Sequence, residues 1–141
     1  MPASLIAALF FTMALIVTHA YFLMGSVPLL VLQHDTSLDA RFVRGFFNTY
    51  YLAAMVAAGA AAVSLALAGR PAVAAGAACL ALLAFMLRRK VIPMMDSLRV
   101  RIEASGAAAI QEFRRIHIAC IAANLAQLVV IVWTLIAASM Q

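Results

Sequence analysis

The hydrophobic and polar positions of this chain form four long apolar stretches separated by short polar segments. A helix needs roughly 20 apolar residues to cross about 30 Å of hydrocarbon, and each stretch is long enough to do so. The pattern predicts an all-α integral membrane four-helix bundle, with one transmembrane domain that occupies the whole chain. The predicted spans are residues 4–33, 46–69, 72–92 and 112–138.

The basic residues are unevenly divided among the polar segments. Nine of the ten Lys and Arg residues follow the first span or lie between the third and fourth, and only Arg70 lies between the second and third. By the positive-inside rule, both basic segments face the cytoplasm and both termini face the other side. We therefore expect a multi-pass protein of a bacterial-type inner (plasma) membrane. Because topology and anionic lipid account for this charge, no nucleic-acid partner is expected.

Composition supports the same class. Of the 141 residues, 67% are hydrophobic and 11% are charged, and the mean hydropathy is +1.08, which excludes an ordinary soluble domain. The first stretch has neither a basic flank before it nor a cleavage pattern of small residues, so we expect it to remain as a span. Cys79 and Cys120 lie at different depths, so no disulfide is predicted.

The sequence also predicts where some helices begin and end and which helices pack closely together. Thr36 or Ser37 can cap a short helix that runs into Arg41 and Phe42, before the second span begins near Phe46. Arg70-Pro71 predicts a tight turn after the second span. Small residues at i and i+4 in spans two and three predict close packing between these helices, although the alanine content can equally reflect genomic composition.

An amphipathic cytoplasmic segment follows the third span, with Met95, Leu98 and Ile102 on one face and charged residues on the other. It predicts either an interfacial helix on the inner leaflet or a continuation of span three into the cytoplasm. In an accessory subunit, the apolar face would be a candidate surface for the partner.

Polar side chains inside the spans are costly unless they are paired, so they mark candidate sites. Helical spacing places His117, Cys120, Asn124 and Gln127 on one stripe of span four. We expect two polar layers, either structural or functional. The middle layer contains His19 with Asn124 and Gln127, and the inner layer contains His117 with Asn48, Tyr51 and Ser26. As a functional site, the inner layer would bind a ligand or a proton through the titratable His117.

The inventory of catalytic motifs is short. No HExxH, CxxC or nucleotide-binding glycine loop occurs. All five acidic residues are expected in the cytoplasmic segments or at the membrane interface: Asp35, Asp39, Asp96, Glu103 and Glu112. These features favour a protein that is not an enzyme and that binds no metal or cofactor. Two intramembrane histidines raise the possibility of a b-type haem, but about nine residues of depth at ~1.5 Å each separate His19 from His117, too far for one iron to bridge.

The second half of the chain carries a family resemblance. Pro93, then Phe113-x-x-x-His117 and Asn124-Leu125, resemble the transmembrane-protein-205-like family of small four-span proteins. In that family a proline closes span three, and span four opens with a Phe-x-x-x-His and Asn-Leu pattern. The resemblance implies that these positions are functional or define the bundle, and it implies no catalytic activity. A fainter similarity is to small membrane-bound protoporphyrinogen oxidases, whose later charged residues are not found here.

These observations predict a small inner-membrane protein that acts as a non-catalytic binding, transport-associated or accessory subunit of a membrane complex. Its expected partners are the lipid bilayer and either further copies of itself or other subunits. The alternative is a membrane oxidoreductase or haem-binding component that uses His19 and His117. Substrate and partner identity stay open at this point.

Overall fold

The computed structural model describes residues 2–104 and 106–139, with side-chain surroundings described only as far as residue 136. Its four long helices are each long and apolar enough to cross a membrane. The predicted all-α four-helix architecture is therefore confirmed, and the chain is a multi-pass membrane protein. A short 3-10 helix, Pro28–Val31, follows the first of the four. The long helices are α1 Ala3–Ser26, α2 Ser37–Leu67, α3 Pro71–Glu103 and α4 Ala107–Ser139.

Local sequence signals set the ends of α2. The Thr36 side chain accepts a hydrogen bond from the backbone N–H of Asp39 at 3.2 Å, which confirms the predicted cap. At the other end, Gly69 has a φ of 72°, a conformation that glycine adopts without steric cost. Pro71 then begins α3, where its missing N–H is tolerated. The predicted turn at Arg70-Pro71 is confirmed.

Helix α3 is longer than the hydrocarbon is thick. It contains 33 residues, or about 50 Å of helix, against about 30 Å of hydrocarbon. Pro93 lies inside this helix and does not end it. Proline removes one backbone hydrogen bond, but Ile92 and Met95 beside it are buried and hold the helix in place. The segment after span three is thus a continuation of α3.

The end of the bundle that carries residues 34–45, 88–104 and 106–115, here called the basic end, has its own core. Met95, Leu98 and Ile102 are buried there against the beginnings of α2 and α4. The expectation of an interfacial face formed by these three residues is therefore wrong. Their apolar side chains pack against other residues of this chain, including Val43 and Phe113. They therefore offer no surface to another subunit. Ion pairs join Arg44 to Asp96 at 2.8 Å and Arg101 to Glu112 at 3.1 Å.

The four helices contact one another unequally. Helix α2 packs most extensively against α3 and next against α1, whereas α4 has sparser contacts with α1 and α3. The close packing predicted for the second and third helices is confirmed, because short side chains allow the backbones to approach. The buried small residues are Ala40, Ala54, Ala57, Ala58, Ala61 and Ser64 of α2 and Ala74, Ala77 and Ala84 of α3.

Candidate functional site

Two histidines meet in the interior of the basic end. His34 lies in the segment between the 3-10 helix and α2, and His117 lies on α4; both have 0% exposure. Nε2 of His34 is 3.2 Å from Nδ1 of His117, which is a hydrogen-bonding distance. The two rings meet nearly edge to face, with centroids 5.3 Å apart. This contact ties the α1–α2 connection to α4.

The hydrogen-bond partners fix where the protons of the neutral pair lie. Nε2 of His117 is 3.1 Å from the backbone carbonyl of Ser26. A carbonyl only accepts, so His117 carries its proton on Nε2 and accepts at Nδ1 from the Nε2–H of His34. A neutral His34 then has a bare Nδ1, which is buried and makes no hydrogen bond. The pair therefore has one open position for an additional proton.

The surroundings of the pair are mostly apolar. Phe47 stands edge-on to His117 with ring centroids 5.2 Å apart, and Phe113 lies against His34 at 5.5 Å. Phe113 is itself fully buried. Both histidines are fully buried beside these rings, so a charge on either histidine is poorly solvated. The Ser26 hydroxyl is also buried and unpaired.

Burial is the main cause of a lowered pKa at His34, relative to its ordinary value of 6.5. The guanidinium of Arg114 acts in the same direction because it repels a second positive charge. The backbone carbonyl of Leu32 and the carboxylates of Asp39 and Asp35 act in the opposite direction and favour the protonated ring. His34 thus lies among groups that both oppose and support its charge.

Asn48 and Tyr51, which were expected beside His117, make hydrogen bonds to other residues. Asn48 Oδ1 accepts a hydrogen bond from Nε of Arg88 at 3.0 Å. Tyr51 donates its O–H to Sγ of Cys120 at 3.4 Å. Neither makes a hydrogen bond to His117, so the predicted composition of the inner layer is corrected. His34 takes that position because the connection after α1 folds back into the bundle. Ser26 does contribute, but through its backbone carbonyl.

The middle layer is assembled largely as expected, with one further member. His19 Nδ1 donates to the carbonyl of Leu15 at 2.9 Å, and Nε2 is 3.1 Å from Oε1 of Gln127. A neutral ring that donates from Nδ1 accepts at Nε2, which favours the Gln127 amide orientation that turns its NH₂ group towards the ring. Asn124 Nδ2 donates to the Tyr50 hydroxyl at 2.7 Å, and the Tyr50 ring lies edge-on to His19.

The donor set does not suit a haem held between His19 and His117. Both ring nitrogens of each histidine already face a polar protein atom. The two residues also belong to separate polar layers, as their sequence depths indicate. In the described part of the chain, no three His, Cys, Asp or Glu side chains converge on a position where a metal ion could bind. The described residues therefore do not provide a pair of free axial ligands at His19 and His117.

His34 and Tyr50 belong to the two layers but were not predicted in either of them. His34 lies in a polar connection, and polar connections ordinarily face water. One signal was available: His34 follows the first span directly, at a depth close to that of His117 near the start of the fourth. Tyr50 is four residues before Ala54 and lies on the buried face of α2. That spacing identifies it as an inward-facing hydroxyl.

Comparisons with known proteins add no further assignment. No family model, curated protein or solved structure matches this chain. The resemblance to the transmembrane-protein-205-like family stays a prediction, and the site is interpreted from its own geometry.

Proposed function

We propose that this chain is a small, non-catalytic binding or accessory protein of a bacterial-type inner membrane, and that its histidine pair binds a proton near the cytoplasmic surface. The observation that carries the proposal is the buried His34–His117 hydrogen bond, which leaves His34 Nδ1 as an open acceptor. The placement of basic residues supports the orientation, with the basic end in the cytoplasm and both termini on the other side.

A proton can be added to this pair without breaking a hydrogen bond. It binds at Nδ1 of His34, while Nε2–H continues to donate to His117. The Leu32 carbonyl favours the new charge, whereas burial and Arg114 oppose it. Protonation therefore introduces a poorly solvated charge into the contact between the α1–α2 connection and α4, and favours release of that contact.

The backbone conformation of His34 also favours release of the contact between the α1–α2 connection and α4. Its φ is 59°, in the left-handed region that residues with a side chain adopt at a cost of about 1–2 kcal/mol. The contacts of the ring, above all with His117 and Phe113, hold this conformation in place. When protonation weakens these ring contacts, the His34 backbone can leave the left-handed region, which lowers its conformational energy. The pair is in this way suited to convert cytoplasmic acidity into movement of one connecting segment.

A pH titration tests the proposal. Because the folded-state pKa of His34 lies below 6.5, the unfolded chain binds more protons than the folded one as the pH drops below that value. His34 therefore contributes its full stability above about pH 6.5, and loses it as the pH falls through 6.5 towards the folded pKa. Thermal unfolding in detergent from pH 7.5 to 4.5 is expected to show this decline.

Substitution of His34 separates its contribution to the loss of stability at low pH from the contributions of other titrating groups. His34→Gln is expected to flatten the decline, because the amide cannot take up the proton, and the matched variant His19→Gln is expected to keep it. Nitrogen-15 spectra of the histidine rings would show directly that His34 Nδ1 is protonated over the same interval. A His34→Gln profile as steep as that of the original chain would refute the proton site.

The accessory role is tested by the intact mass of the assembly after mild extraction from its native membrane. Additional polypeptide mass is the expected result for a subunit of a complex. A homo-oligomer would limit the partners to further copies of this chain, and a bare monomer would contradict the accessory role. The family resemblance is part of the same proposal, supported by the burial of Phe113, His117 and Asn124 at the positions that carry it.

A further inference from the structure

A groove of about 760 Å³ lies between α1 and α2 and extends into the basic end, where Leu38 and Arg41 line it. Its volume is within the range of small-molecule sites, about 300–1,000 Å³. Val17, Tyr21 and Phe22 of α1 form one wall. The opposite wall follows a single stripe of α2 at helical spacing, formed by Leu38, Arg41, Phe42, Gly45, Thr49 and Ala53.

The floor of this groove is the part of the α2 wall formed by Gly45, Thr49 and Ala53, and their short side chains leave it open. A Cβ added at Gly45 would meet no atom within 4 Å, and Ala53 continues the same stripe one turn beyond Thr49. The two threonine hydroxyls in the groove are already bonded to backbone carbonyls of their own helices: Thr49 donates to the Gly45 carbonyl at 3.2 Å, and Thr18 donates to the Ala14 carbonyl at 2.7 Å. The Tyr50 hydroxyl accepts a hydrogen bond from Asn124 Nδ2 at 2.7 Å. The floor is thus apolar in effect and suited to a hydrocarbon chain.

One unpaired cation stands at the end of the groove that lies in the basic end. Arg41 is exposed, and in the described ranges no carboxylate lies within ion-pair distance of it. The neighbouring Arg44 differs, because it is paired with Asp96 on α3. A guanidinium presents a planar fork of N–H donors that matches a phosphate group. The groove therefore combines a hydrocarbon slot with a phosphate-binding group at its mouth.

We propose that this groove binds one anionic phospholipid, with the lipid phosphate on Arg41 and an acyl chain along Gly45, Thr49 and Ala53. The occupant is argued from charge: the groove lies beside the lipid, and its one charged lining residue is positive. The basic segments that surround it face the leaflet surface where anionic headgroups collect. This site is separate from the histidine pair and goes beyond the proposed proton binding.

The test uses the full chain in detergent micelles that contain equal amounts of phosphatidylglycerol and phosphatidylcholine with identical acyl chains. Native mass spectrometry counts the lipid molecules that stay bound. The original chain is expected to retain one phosphatidylglycerol, with a preference of about fivefold over phosphatidylcholine, the effect of one basic residue at an anionic surface. Arg41→Gln is expected to abolish the preference, and Gly45→Leu, which fills the slot, to remove the bound lipid.

Matched controls keep the result specific. Arg115→Gln removes another exposed arginine of the basic end, and Gly59→Leu makes the same change on α2 where an added Cβ also meets nothing within 4 Å. Both are expected to retain the lipid and its preference. Equal retention of the two lipids by the original chain, or equal losses in the controls, would overturn the proposal. Circular dichroism checks each fold, and Ala53→Leu replaces Gly45→Leu if that variant does not fold.

Discussion

Replacing Phe22 with alanine is expected to lower the free energy of unfolding by about 3 kcal/mol. Phe22 has 0% exposure and contacts three aromatic rings of α2. It stacks on Tyr50 with centroids 4.1 Å apart, lies parallel to Phe46 at 5.6 Å and meets Phe47 edge-on at 4.8 Å. Each such pair contributes about 0.5–1.5 kcal/mol beyond its buried area. Alanine would remove all three and leave a void.

The expected loss is at the lower end of the range for buried phenylalanine, about 3–5 kcal/mol, because the separated helices keep their apolar side chains in lipid. Unfolding in mixed micelles with rising denaturing-detergent fraction measures the difference. Phe10→Ala is the matched control: it truncates the same residue type on α1, where the ring is 67% exposed. A similar loss in both variants would show that the aromatic contacts to α2 do not stabilise the bundle.

Replacing His117 with alanine is also expected to cost about 3 kcal/mol, for a different reason. The Nε2–H of His34 and the carbonyl of Ser26 would both lose their partner while buried. An unsatisfied buried polar group costs about 1–3 kcal/mol. The measurement is the same unfolding assay, at pH 7.5 where the pair is neutral.

A double-mutant cycle assigns the loss to the pair. Because the two histidines contact each other, His34→Ala and His117→Ala are expected to be non-additive by about 1 kcal/mol or more. His19→Ala provides the comparison, since it belongs to the other polar layer and is expected to add to His117→Ala. Additive losses for the His34–His117 combination would contradict a coupled pair.

The sequence was sufficient for the architecture because the lipid imposes simple rules. Four apolar stretches gave four helices, and Thr36 and Arg70-Pro71 set their ends through local chemistry. The length of α3 was harder to predict. Arg88-Arg89-Lys90 marks where a helix meets water, but it does not end the helix. Met95 and Leu98 could be interpreted as facing lipid or protein, since an apolar stripe satisfies either.

The candidate site was predictable only in part, for a geometric reason. Helical spacing gives the depth of each polar residue and the face it shares, so the approach of His19 to Gln127 followed from sequence. Spacing does not give the rotation of one helix relative to another, which decides that Asn48 bonds Arg88 and not His117. The inward course of the segment at His34 depends on a left-handed backbone conformation and on tertiary contacts, and neither has a clear local signature.

The unequal packing of the helices implies an order of assembly during synthesis. The α2–α3 hairpin has a short connection and a tight alanine interface, so it can pair as soon as both helices are in the membrane. Helix α4 follows in the chain, has sparser contacts with the other helices, and makes three of its side-chain hydrogen bonds to α1 and α2. Docking of α4 therefore completes the bundle. Because His117 lies on α4, the His34–His117 hydrogen bond forms only at this last step and is present only in the fully assembled protein.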